Sequence, residues 1–205
     1  MAEELSLMQP AGADGELEGS IEWGDEADPH PVVVHAIRVP LAPLRLGEHA
    51  FDDEPVLQLH SIRFGVKSWR QLAGRTFSFP NVVRHITSDG ESRPIYDIYG
   101  SLRMGAEYHQ VLATGIAFGT YQGCRVEVNL SGSVNSVAHP PLFSPTDFSC
   151  DASLALGPIL VRGDLGSSTL PDLAEAQEQA QRLLRLEDYE PPQDHNGRVL
   201  IRPTC

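Results

Sequence analysis

Two short stretches of the chain carry the same arrangement of a histidine, an isoleucine and an arginine. Residues 34–39 read VHAIRV, and residues 59–64 read LHSIRF. Strand alternation would place His35 and His60 on corresponding faces of two strands, each beside its isoleucine. On neighbouring strands the two histidines would form a cross-strand pair, which can bind a metal ion or change its charge near neutral pH.

A third stretch favours a structural interpretation of this pattern. TGIAFG, at residues 114–119, follows the same order as HSIRFG with a threonine in place of the histidine. The pattern therefore persists without histidine and is typical of a strand that ends near glycine. No third ligand stands at a fixed spacing, so we expect no metal site. If the sheet curls around a pocket, His35, His60 and Tyr96 are the residues expected to line it.

Catalytic and cofactor-binding motifs are missing from the sequence. It contains no HExxH, GxSxG, P-loop or GxGxxG pattern, so we expect no catalytic residue and no cofactor. A carboxylate pair drawn from Asp97, Glu107 and Glu127 would suit acid–base chemistry at the right separation. Arg103 and Arg125 are available as cross-strand partners, however, so a solvated sheet face is the preferred interpretation.

The three cysteines, Cys124, Cys150 and Cys205, are too few and too widely spaced for a disulfide framework or a zinc site. Cys124 falls on a predicted apolar face, where we expect a buried, inert thiol. The N-terminus lacks the basic and apolar regions of a signal peptide, and no apolar run approaches the ~20 residues that span a bilayer. These features predict a reducing, cytoplasmic location.

The charge of the chain is strongly negative and unevenly distributed. With 28 acidic and 15 basic residues the net charge is −13, which argues against binding to nucleic acid or to an anionic membrane surface. Residues 1–30 contain nine acidic residues and no Lys or Arg. Self-repulsion predicts a disordered tail here, which would dock on a basic partner through apolar anchors. The candidate anchors are Leu5, Leu7, Leu17, Ile21 and Trp23.

Short runs with a period of two begin at Pro31 and are separated by turn signals. They predict strands over residues 32–39, 56–64, 75–79, 95–104, 108–118 and 124–134. The clearest run is CRVEVNLSGSV at 124–134, in which apolar and polar residues alternate. The last three of these strands are predicted to form an antiparallel meander.

The remainder of the chain is predicted to be less regular. Residues 135–152 are expected to form a proline-containing loop, followed by a strand at 154–162 that Pro158 restricts to an edge or a bend. A last strand is predicted at 198–203.

One amphipathic helix is predicted, capped by Thr169 with Asp172 three residues on. Its apolar stripe begins at Leu173, and Pro191 and Pro192 lie beyond its end.

This order of elements predicts a mainly β protein, an antiparallel β-sandwich or a partly open barrel with one C-terminal α-helix packed on it. We expect an acidic tail at 1–30 and an all-β domain at 31–163. Residues 164–205 are expected to add the helix and the final strand to that domain.

A likeness to known proteins lies between residues 68 and 134. Trp-Arg-x-Leu-x-Gly-Arg-x-Phe-x-Phe-Pro (69–80), YDIYGS (96–101) and GIAFG (115–119) follow one another there. This order resembles small bacterial all-β domains, some of them immunity proteins that neutralise secreted toxins. The resemblance implies a β fold and a protein partner, and it implies no catalytic residue.

The leading functional hypothesis is a non-enzymatic domain that binds another, basic protein, as an immunity or antitoxin-type inhibitor does. Two alternatives stay open: a β-barrel enzyme or small-ligand binder with the His35, His60 and Tyr96 pocket, and an assembly subunit of a phage or secretion particle. Residue types that are common at protein interfaces and positions on the predicted sheet suggest the contact residues. They are Trp23, Trp69, Arg70, Asp97, Tyr99 and Arg103.

Overall fold

The computed structural model describes residues 6–12, 14–23, 30–46, 48–51, 54–79, 84–88, 91–95, 99–138, 141–162 and 171–205. Most of this part of the chain is β-strand. The strands are, in chain order, β1 (Ser6–Leu7), β2 (Gly15–Trp23), β3 (Pro31–Pro40), β4 (Leu44–Leu46), β5 (His49–Phe51), β6 (Val56–Ile62), β7 (Thr76–Ser78), β8 (Arg84–Ser88), β9 (Glu91–Ile95), β10 (Tyr99–Met104), β11 (Glu107–Gln122), β12 (Arg125–Asn135), β13 (Thr146–Val161), β14 (Gln193–His195) and β15 (Arg198–Ile201).

Seven of these strands form a closed barrel. Their order is β12–β11–β10–β6–β3–β2–β13, and β12 also pairs with β13, which closes the ring. All neighbours run antiparallel except β2 and β13, which are parallel. The predicted mainly β class and the β10–β11–β12 meander are confirmed. The sandwich is wrong, and the barrel is closed rather than partly open.

Apolar side chains fill the interior of the barrel. Along β12, Val126, Val128 and Leu130 are buried while Arg125 and Glu127 are exposed, so the predicted alternation is confirmed. The other barrel strands contribute fully buried side chains in the same way, which is usual for a barrel of this small size. Examples are Ile37, Leu59, Leu102, Ile116 and Leu154.

Gly15–Trp23 forms a barrel strand, which corrects the tail expected over residues 1–30 for that part of the chain. β2 lies between β3 and β13, with Leu17 and Ile21 buried. Glu16 and Glu18 alternate with these residues and are exposed. The acidic composition concealed a strand with a period of two, because the acids occupy its outward positions.

β13 begins at Thr146, inside the predicted loop at 135–152, and continues to Val161. Pro158 lies at the shift of register between β13 and β2, where a proline does not interrupt regular pairing. β15 at Arg198–Ile201 confirms the predicted last strand, and β14 joins it as a short hairpin.

The α-helix of the described chain, α1 (Leu173–Leu183), begins later than expected. Its N-cap is Asp172, whose carboxylate accepts from the backbone N–H groups of Ala174 and Glu175, while Glu175 accepts from the backbone of Asp172. The expected cap, Thr169, lies outside the described residues. Leu173 is 46% exposed, so the apolar stripe does not begin there.

The helix covers a second, smaller core beside the barrel. Its buried face meets the ends of β2, β13 and β15 and the residues that follow the helix. The members are Ile21, Trp69, Ile159, Val161, Ala176, Ala180, Leu184, Tyr189, Val199 and Ile201. No helix among the described residues is long and apolar enough to cross a membrane.

A disulfide joins Cys124, in the turn between β11 and β12, to Cys205, with their Cα atoms 4.9 Å apart. The expectation that the cysteines are unpaired and that Cys124 is an inert thiol is therefore wrong for this pair. Cys150 is the buried thiol instead, and burial raises its pKa to about 11. The bond closes a loop of 81 residues, so it restricts the unfolded chain strongly.

We predict that Cys205→Ser lowers the free energy of unfolding by about 2–5 kcal/mol, because the unfolded chain regains the freedom that the bond removes. Urea unfolding under non-reducing conditions measures this change. A reductant should destabilise the wild type by a similar amount and leave Cys205→Ser unchanged. A wild type that is insensitive to the reductant would contradict the bond. Rapid alkylation in living cells would then show whether Cys124 and Cys205 are both free thiols. Free thiols are what a cytoplasmic location, as expected from the sequence, requires.

Candidate functional site

A cleft of about 550 Å³ lies on the outer face of β2, β3, β13 and β15. Glu18 and Ser20 line it and alternate along β2 with Leu17 of the barrel core, which shows that the cleft is outside the barrel. We call it the histidine cleft. Its charged side chains and exposed histidines include Glu18, Glu22, His60, Arg162, His195 and Arg198.

His35 and His60 both border the cleft, but His35 lies opposite Gly19 and shares the inward face with Ile37, whereas His60 is exposed. β3 and β6 are antiparallel neighbours, yet His35 lies opposite Ile62 and not opposite His60. The pairing shifts by one residue between this pair and Ile37–Leu59, so β6 carries a bulge. The direct cross-strand pair expected from the sequence is therefore wrong.

Ser61 gives the physical reason for the bulge. Its φ is 59°, in the left-handed region that non-glycine residues seldom adopt. The bulge changes the alternation along β6, so that His60 and Ser61 are exposed while Ile62 is buried. His60 consequently points to the outside, away from the face on which the sequence pattern placed it.

His35 is only 8% exposed, and its ring lies 5.0 Å from the ring of Phe64. Burial lowers its pKa to about 4, although a hydrogen bond with the backbone of Ile62 acts in the opposite direction. His35 is thus neutral at pH 7, and its Nδ1 atom has no hydrogen-bond partner in the described part of the chain.

Neither a metal centre nor an internal pocket is found around these histidines. Among the described residues, no three His, Cys, Asp or Glu side chains are placed to hold a metal ion. Buried apolar side chains occupy the described interior of the barrel, and the cleft that His60 lines lies outside it. Tyr96, the third residue expected in that pocket, lies outside the described residues.

One end of the histidine cleft contains a charged network. The Ser20 hydroxyl donates to Glu22 Oε1 at 2.6 Å, and Arg162 Nε lies 3.4 Å from the same oxygen. Arg198 and His195, which lie opposite each other on β15 and β14, complete this end. No sequence motif marks these residues, because only the pairing of β2, β13, β15 and β14 places them side by side.

A second depression, of about 590 Å³, lies across β11, β12 and β13. We call it the acidic groove. The residues that define it are Pro10, Ala117, Gly119, Glu127, Asn129, Asp151 and Ser153. The Asn129 amide donates to Asp151 Oδ1 at 2.8 Å and to Ser149 Oγ at 3.0 Å. The groove has two carboxylates and, among the described residues that line it, no Lys or Arg.

Trp69 and Arg70, two of the expected contact residues, bind the C-terminal segment of the same chain. Trp69 is 7% exposed, its Nε1 donates to the Asp188 carbonyl at 3.3 Å, and its ring is 4.6 Å from that of Tyr121. Arg70 Nε lies 2.9 Å from Asp188 Oδ1. Trp69 therefore packs in the second core of the chain.

The structure describes the other expected contact residues only in part. Arg103 lies on β10 and is partly exposed, whereas Asp97 lies outside the described residues. Trp23 and Tyr99 end β2 and begin β10, but their side chains are also outside the described part. Contact between these residues and a partner stays a prediction.

The three carboxylates considered for acid–base work have separate surroundings. Glu107 lies 3.6 Å from His109 Nε2, Glu127 accepts from Thr120 Oγ1 at 3.3 Å, and Asp97 is outside the described residues. The expected partner Arg125 instead pairs with Asp14 at 2.6 Å.

Comparison of the chain with known protein families, with curated proteins and with solved structures finds no match in any of the three.

We predict that Ser61→Val is less stable than Ser61→Gly by about 1–2 kcal/mol, because a β-branched residue is strained at positive φ. Ser61 is exposed, so neither change removes core packing. Urea unfolding of both variants measures the difference. Ser133 is the control, since it lies in the regular strand β12, where valine is preferred over glycine. The same order of stability at both positions would contradict the strained bulge.

We predict that His35 makes the fold acid-sensitive. Its pKa is about 6.5 in the unfolded chain and about 4 in the folded one, so the unfolded state binds more protons between these values. The stability that depends on neutral His35 is fully present above pH 6.5 and is lost as the pH falls towards 4. Between about pH 7.5 and about pH 5 the loss amounts to roughly 2 kcal/mol.

Urea unfolding at both pH values should show this loss of unfolding free energy in the wild type. The loss should be smaller by about the same amount in His35→Phe, which keeps an aromatic ring beside Phe64. His195→Gln removes an exposed histidine of the same cleft and is the matched control, expected to retain the wild-type loss. An undiminished loss in His35→Phe would refute the assignment.

Proposed function

We propose that the protein is a non-enzymatic binding domain that recognises a basic protein partner at the acidic groove. The observation that carries the proposal is that two carboxylates, Glu127 and Asp151, line a groove whose described lining has no basic residue. A cationic segment placed there would meet two carboxylates without competition from an internal cation.

The shape of the groove suits a protein segment. Its floor on β11 includes Ala117 and Gly119, whose small side chains leave room above the sheet. Asn129 holds Asp151 through a 2.8 Å hydrogen bond, so this carboxylate is oriented before a partner arrives. Preorganisation of this kind lowers the entropy that binding costs.

The whole chain favours the same class of partner. A net charge of −13 attracts basic proteins at long range, accelerates their association and makes it salt-dependent. Because the described interior of the barrel is filled, binding at the surface fits this fold better than enclosure of a ligand. Among acidic proteins that bind basic ones, an immunity or antitoxin-type inhibitor remains our preferred interpretation.

We predict that Glu127→Gln combined with Asp151→Asn abolishes capture of a basic partner. The experiment uses the full-length chain as bait in a lysate of its source cells at low and high salt, with mass spectrometry of the bound proteins. The purified partner is then titrated by calorimetry, where the double variant should bind at least roughly tenfold more weakly, since two charge-assisted contacts are lost.

Glu178→Gln combined with Glu187→Gln is the matched control. These carboxylates are exposed on α1 and just after it, and their removal changes the net charge by the same amount. Partner binding that persists in the control and fails in the groove variant supports the proposal. Equal binding by both variants, a captured protein that is not basic, or no salt-sensitive capture at all would overturn it.

A further inference from the structure

We infer that the histidine cleft is a binding site for a small organic carboxylate with an apolar body. This site is distinct from the acidic groove, with which it shares no lining residue. The inference stands on two rows of side chains that cross the outer face of the sheet side by side.

The first row brings two arginines together. Val161 of β13 lies opposite Val199 of β15, so the next antiparallel pair is Arg162 and Arg198. Both line the cleft, and His195 lies opposite Arg198 on its other side. Like charges directly opposite each other on one sheet face are destabilising unless a negative group lies between them.

The protein supplies only part of that negative charge. Glu22 pairs with Arg162 at 3.4 Å, but among the described residues Arg198 has no ion-pair partner. Arg198 therefore presents to the cleft a guanidinium group without a carboxylate partner in the described part of the chain. A guanidinium group in this position can recognise an anion.

The second row is mostly apolar. Val34 lies opposite Ser20, Ser20 opposite Leu160, and Leu160 opposite Leu200. All four line the cleft. This row is two residues along the strands from the arginine row, a distance of roughly 7 Å. A ligand with its anionic group at Arg198 would therefore lay a hydrocarbon body over Leu160 and Leu200.

The charge balance of the cleft selects the anion. Glu18 and Glu22 would repel a dianion more strongly than a monoanion, which disfavours a phosphate monoester. The planar guanidinium of Arg198 matches the two oxygens of a carboxylate. The cavity of about 550 Å³ is within the range of small-molecule sites.

The test is an NMR titration of the ¹⁵N-labelled full-length chain with octanoate, octanamide and octyl phosphate. We expect saturable shifts for octanoate in the amides of β2, β13 and β15 around Ser20, Leu160 and Leu200. Arg198→Gln should weaken this binding roughly tenfold because a charge-assisted contact is lost. Arg182→Gln, an exposed arginine on α1, is the matched control and should bind as the wild type does.

The two other probes separate the parts of the inference. Octanamide tests the need for a negative charge and should bind far more weakly than octanoate. Octyl phosphate tests the preference for a monoanion and should bind no more tightly than octanoate. Leu200→Ala should weaken the binding of octanoate, while the NMR spectrum should still show a folded protein. Absence of shifts in the cleft, an undiminished affinity in Arg198→Gln, equal binding of octanamide, or tighter binding of octyl phosphate would overturn the assignment. None of these outcomes depends on the acidic groove.

Discussion

The pairing of β12 with β13 is the interaction on which the rest of the structure depends. It runs from Arg125 opposite Ala155 to Val134 opposite Thr146 and closes the barrel, so that neither strand leaves an open edge there. Closure lets one row of alternating apolar residues from each strand meet in a single core. Beyond Ala155, β13 continues along β2 and takes β15 as its other neighbour. The helix covers that extension. One long strand thus belongs to both cores.

A filled barrel leaves recognition to its outer surface, and the two depressions there have different physical origins. The acidic groove exists because Ala117 and Gly119 of β11 have small side chains beside larger polar ones. The histidine cleft lies where β13 changes partners from β12 to β15 and where β6 bulges at Ser61. An irregularity of the sheet therefore creates the histidine cleft, whereas small residues on β11 create the acidic groove.

Much of the fold is predictable from alternation, and its failures have identifiable causes. The alternation along β12 is nearly unbroken, and the burial of Val126, Val128 and Leu130 follows it. β2 was missed because its outward positions are acidic, and the first half of β13 because prolines nearby suggest a loop. The outward position of His60 depends on a positive φ at Ser61. A serine in the sequence does not predict a positive φ. The arginine row and the Cys124–Cys205 bond join residues far apart in the chain, so only tertiary pairing reveals them.

The parallel pairing of β2 with β13 has a consequence for the ribosome-bound chain. Gly15 lies opposite Leu154, so one edge of β2 has to wait until nearly 140 further residues have been synthesised. At about 5–20 residues per second, that edge is unpaired for many seconds after β2 and β3 have emerged. During this interval Glu16, Glu18 and Glu22 give the open hairpin like charges that oppose association between nascent chains. The acids on β2 match the charged residues with which natural sheets oppose edge-to-edge association.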